Sequence, residues 1–183
     1  MLNFSKFFKK VTAKNINSDL LFLSEHLSLK GNQEILFVEY FDEIVLDYSL
    51  ESLKSFEKYL SKIKIYFQSK IDTKMNDSEK NEFITQFVSI ILRIGAYVGE
   101  TLRENDKIVD WYWIMSKEKC ISNPILINSE NAKIQKAPVL TNGFKIIFPM
   151  DAVSDLILKP NYQLSLYDYA NTLLLTNSQN RLD

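Results

Sequence analysis

A chain of 183 residues with 46% hydrophobic and 13% aromatic side chains can bury a sizeable core, which excludes a disordered polypeptide. Its 22 Lys and Arg nearly cancel its 23 Asp and Glu, so the basic excess of a general nucleic-acid binder is missing. One cysteine, Cys120, and one histidine, His26, exclude an internal disulfide and any mechanism that needs two histidines.

The first residues, Met1 to Lys10, interleave lysines with aromatics and lack both an unbroken apolar run and a small-residue cleavage site, unlike a signal peptide. No apolar run is expected to reach the roughly 18 residues that span a bilayer. A cytoplasmic location is expected. Leu2, Phe4, Phe7, Phe8 and Val11 fall on one helical face, with Lys6, Lys9, Lys10 and Lys14 largely opposite. Docking of this stripe on the core is favoured over peripheral membrane contact through Leu2–Val11.

Ser18 reads as the cap of a second helix over Asp19–Lys30, stopped by Gly31 and containing His26. Leu36, Phe37, Tyr40, Phe41, Ile44 and Val45 recur at helical spacing, so Gln33–Val45 is expected to be helical, with a buried strand as the competing reading. Ser49 caps the next helix, whose stripe is Leu50, Leu53, Phe56, Leu60, Ile63 and Phe67. After a polar break at Asp72–Asp77, Ser78 opens a long central helix to about Glu104, apolar on most of its circumference. Gly95 and Gly99 cost that helix roughly 1 kcal/mol each relative to alanine, which predicts close packing of another element against them.

Beyond Asn105 the segments 108–115, 124–128, 133–139 and 144–148 are short and β-rich, and Thr141-Asn142-Gly143 is the best hairpin-turn signal. Pro149 opens a short helix to Leu158, and Ser165 with Asp168 forms a capping box for a last helix ending near Thr176. The order predicts an α+β fold: N-terminal helices and a long buried central helix packed on a small antiparallel sheet, with C-terminal helices. Residues 1–176 read as one domain and 177–183 as a polar, frayed tail.

No glycine-rich phosphate loop and no transition-metal ligand spacing is present, so neither a cofactor nor a metal is expected, and no catalytic residue is assigned. Glu100, Asp106 and Asp110 cluster in sequence, where two carboxylates in one cleft could bind a hard cation or act as acid and base. Surface pairing of Glu100 with Arg103, or of Glu104 with Lys107, is the preferred account. Arg93, Tyr97, Glu100 and Glu104 mark a polar seam on the central helix. With Arg103 and Trp111 it forms a candidate ligand site, weighed against a buried structural network. From Glu34 to Leu53 the chain carries Glu39, Asp42 and Glu43 among other acids and no Lys or Arg. Those three are the candidate face for a basic protein partner.

Leu46-Asp47-Tyr48-Ser49-Leu50-Glu51-Ser52-Leu53 resembles an "LDYSxxSL" helix opening, and Gly95 to Arg103 followed by Trp111 and Trp113 resembles a "GAYxGExLR…W" element. Both motifs occur in a diffuse group of small bacterial proteins, some of which look like immunity or accessory proteins beside secreted toxins. The resemblance covers about Leu46 to Phe148. It highlights Tyr97, Gly99, Glu100, Arg103 and Trp111 and implies no catalytic role for them. Glu104-Asn105-Asp106 replaces the glycine-rich turn frequent in that group. The expectation is a non-enzymatic protein that binds another protein, and the form that the resemblance implies is an immunity factor neutralising a basic toxin. The alternative is a small enzyme or ligand-binding domain using the Tyr97/Glu100/Arg103 seam.

Overall fold

The computed structural model describes residues 15–27, 35–71, 73–116 and 137–179. The expected N-terminal helix over Leu2–Val11, the Lys30-Gly31 stop, Cys120 and the strand at 124–128 lie outside these residues. The chain is α+β. Its helices are α1 (Ile16–Glu25), α2 (Leu50–Ile71), α3 (Asp77–Asn105), α4 (Pro149–Leu158) and α5 (Leu166–Gln179). Strands β1 (Tyr112–Ser116), β2 (Ala137–Thr141) and β3 (Ile146–Ile147) form an antiparallel sheet in the order β1-β2-β3.

The long helix α3 is the axis of the fold. Asn76 caps it in a reciprocal capping box: its side chain accepts from the Glu79 amide, and the Glu79 carboxylate accepts from the Asn76 amide. The helix therefore opens at Asp77, one residue before the expected Ser78. From Phe87 to Leu102 every residue is buried. By length and composition α3 could cross a bilayer, but 78% of its apolar window is buried within the fold, so it is no clear transmembrane span. Its apolar surface is spent on packing.

Both helical glycines face a close neighbour. A Cβ on Gly95 would come within 2.9 Å of Met150 Cγ and 3.0 Å of Met150 Cα, at the start of α4. A Cβ on Gly99 would run into the indole of Trp113 on β1. The packing predicted from the glycine pair is present, and it joins α3 to both the sheet and α4.

Several elements depart from the expected boundaries. Helix α1 begins at Ile16, with Asn15 rather than Ser18 at its N-cap. Ile16 and Leu20 are buried, and Asn17 binds β1: its Oδ1 accepts from the Trp113 amide at 2.8 Å and its Nδ2 donates to the Trp113 carbonyl at 3.5 Å. Tertiary anchoring thus draws the first turn earlier than the cap signal suggested. The helix closes at Glu25, where the His26 amide donates to Phe22 O, so His26 lies at the helix end, half-buried and stacked on Phe22.

Of the expected helix over 33–45, the described residues 35–45 form only a 3-10 helix, over Val38–Glu43. Phe37 precedes it with φ 56°, a left-handed conformation that stops an α-helix from running through. The reason is aromatic packing on α2. Phe37 meets Tyr66 edge-on at 5.8 Å, while Phe41 packs against Phe56 and Tyr59 at 5.9 and 4.6 Å.

Residues 107–109 form a bend and 110–111 are irregular, so β1 begins only at Tyr112. Strand β3 shrinks to two residues before Pro149. At the far end α5 continues past Thr176 to Gln179, and Asn177, expected in a frayed tail, is buried. Ser165 and Asp168 cap α5 as expected: the Asp168 amide donates to Ser165 Oγ at 3.0 Å. One continuous apolar core draws on all five helices and the sheet, from Ile16 to Ala170.

Candidate functional site

The polar seam of α3 does not form one site; with Asp106, just beyond the helix, its residues fall into separate centres. The first surrounds Tyr97, which is fully buried. Its hydroxyl accepts from the Tyr48 amide at 2.9 Å and shares a 2.7 Å hydrogen bond with Ser52 Oγ. Tyr48 has φ 58° and stacks on the Tyr97 ring at 4.9 Å. Its carbonyl accepts from Asn105 Nδ2 at 2.7 Å, and its own hydroxyl pairs with Ser24 Oγ at 2.8 Å. A left-handed tyrosine is sterically costly, by about 1–2 kcal/mol. These contacts on backbone, ring and hydroxyl hold it there and tie the loop before α2 to α3. Burial pushes the Tyr97 phenol up from its ordinary value, with the hydrogen bonds from Ser52 and Tyr48 opposing it.

The second centre is Glu100, 4% exposed. Its Oε1 accepts from Trp113 Nε1 at 2.7 Å, and both oxygens accept from Arg103 Nη1 at 3.0 and 2.9 Å. Arg103 Nε donates to the Trp111 carbonyl at 3.0 Å. The expected Glu100–Arg103 pair therefore exists, but Glu100 is inside the fold rather than on a solvated face. The pair fastens the helix to the first strand of the sheet.

Asp106 is the third centre, immediately after α3. Its Oδ1 accepts from the Ile108 and Val109 amides at 3.0 and 3.1 Å, and its Oδ2 from Trp111 Nε1 at 2.8 Å and Asn177 Nδ2 at 2.7 Å. That fills the acceptor capacity of a carboxylate. Burial alone would raise its pKa, but the donors Trp111, Asn177, Ile108 and Val109 outweigh burial and hold it below the usual carboxylate range. Asp110 is exposed. Glu100 and Asp106 thus serve two different indoles, and their oxygens are engaged by the protein's own donors.

Arg93 does not join Glu100. Its Nη1 donates to the Leu27 carbonyl at 3.4 Å, near the Tyr59 ring on α2. Burial lowers the guanidinium pKa, with Tyr59 opposing the shift. The Tyr59 phenol is pushed well up by burial, and its hydroxyl has no hydrogen-bond partner among the described residues. Glu104 is exposed. Among the described residues no three His, Cys, Asp or Glu side chains gather as a metal site would require.

Glu39 and Asp42 are exposed on the 3-10 helix, while the side chain of Glu43 lies outside the described structure. The acid-only stretch of sequence is not isolated in space. Lys58 and Lys62 of α2 sit over the rings of Tyr40 and Phe37 at 5.6 and 5.3 Å, and Lys54 sits over Tyr167 of α5 at 4.1 Å. Lys58 and Lys62 therefore flank the acidic segment and moderate its field.

The sequence reading did not single out the β2–β3 turn as a binding site. There Thr141 Oγ1 accepts from the Gly143 amide at 3.1 Å and donates to the Lys145 carbonyl at 2.8 Å. Asn142 Oδ1 accepts from the Phe144 and Lys145 amides at 3.0 and 2.7 Å. Gly143 takes φ 89°, the left-handed angle the turn requires. The turn is thus internally braced, yet Phe144 at its tip is 101% exposed. Tyr112 pairs across from Thr141, and Thr141 from Ile146, so Tyr112 and Ile146 share one sheet face. They are 44% and 48% exposed. The signal available beforehand was a phenylalanine directly after Asn-Gly, where the tip of a hairpin projects into water.

In comparisons with known proteins, the chain matches no family model, no curated protein and no solved structure.

Proposed function

We propose that this protein acts without catalysis, by binding another protein, with the β2–β3 turn as its apolar anchor. The observation that carries this reading is Phe144, wholly exposed on a turn braced by its own side chains and flanked by Tyr112 and Ile146. An aromatic side chain held in place before association loses little entropy on docking, which is how the dominant residues of interfaces act. The engagement of Tyr97, Glu100 and Asp106 within the fold supports a structural role for the seam rather than a reactive one.

The specific form favoured by the motif resemblance is a cytoplasmic immunity factor that neutralises a basic toxin. In that form Glu39, Asp42 and Glu43 steer the encounter and Phe144 supplies the short-range contact. The test is affinity capture from the source organism with the parent chain and a Phe144→Ser variant, followed by binding measurements on purified candidates. The expected result is a protein retained by the parent and lost by the variant at equal fold stability. Equal retention by both would remove the turn from the interface.

A further inference from the structure

We draw no further inference here: the strongest candidate, the buried cluster of Tyr59, Arg93 and the Leu27 carbonyl where α2 and α3 meet the end of α1, lies at the end of a described segment, and nothing among the described residues shows what covers it.

Discussion

The indole of Trp113 occupies the space that any side chain at residue 99 would need, and the same ring donates to Glu100, the next residue along α3. Gly99 thus lets the strand approach the helix closely enough for a buried carboxylate to receive an indole N–H. Packing and polar satisfaction at this junction are one arrangement, since displacing the ring also lengthens the 2.7 Å hydrogen bond.

Gly99→Leu is therefore expected to destabilise the protein by about 1–3 kcal/mol or more, exceeding the helix-propensity gain of about 1 kcal/mol. Denaturant titration of parent and variant measures the difference. A midpoint at or above the parent's would mean that Trp113 can move aside at no cost.

Asp106 makes stability depend on pH. Its folded pKa is depressed, so its contribution is present above the unfolded value, near the ordinary 3.8, and is lost as pH falls through the folded value. Asp106→Asn should flatten the acid limb of the stability curve below about pH 4. At neutral pH it should also cost about 1–3 kcal/mol, because an amide N–H would face donors that now meet carboxylate oxygen. An acid limb of the same steepness in both proteins would assign the pH dependence to other carboxylates.

Tyr97→Phe keeps the ring stacked on Tyr48 but removes the oxygen that receives the Tyr48 amide and pairs with Ser52. A loss of about 1–3 kcal/mol is expected, because a backbone amide in a strained left-handed residue loses its acceptor. Faster amide exchange at Tyr48 and Ser49 should accompany it. Parent-like exchange at those residues would show that the remaining contacts suffice to hold the loop.

Local cap signals in the sequence located three helix starts, while Ser18 gave way to Asn15 on α1 and α3 is capped by Asn76. Ser49, Pro149 and the Ser165–Asp168 pair each begin a helix where expected, because a cap acts on amides within one turn. Features set by distant partners were not legible. Phe37 turns left-handed where it packs on Tyr66, and the bend at 107–109 wraps Asp106, which gathers donors that include Asn177, 71 residues away. The seam showed the same division. Helical spacing put Tyr97 and Glu100 on one seam of the enclosed helix, but the surface pairing preferred for Glu100 gave way to a buried one, and spacing could not reveal that Arg93 points to Leu27 or that Trp113 completes the Glu100 centre.

Phe144→Ser should leave stability within about 0.5 kcal/mol of the parent, since a fully exposed side chain has no packing to lose. The variant should also be less prone to self-association at high concentration, because the most exposed aromatic among the described residues is gone. A stability loss above that margin would mean that Phe144 is covered in solution.

Charge reversal of Glu39, Asp42 and Glu43 to lysine tests the steering role assigned to the acidic segment. If those acids attract a basic partner, association should slow by about tenfold at low salt, with a smaller difference at high salt. The reason is range: exposed charges act over roughly 10 Å at 0.1 M salt, so added electrolyte removes the advantage of the parent. The neighbouring Lys58 and Lys62 bear on the size of the effect, because their ammonium groups already offset part of the local negative field. Lys58→Gln and Lys62→Gln should therefore speed association in the parent background, the opposite sign from the acid reversal. Stopped-flow association at two ionic strengths, run on both sets of variants with the captured partner, reads each effect. Opposite shifts that shrink together with salt are the expected pattern. Rates that do not change for either set would place the encounter surface away from the 3-10 helix, with the Phe144 turn acting alone.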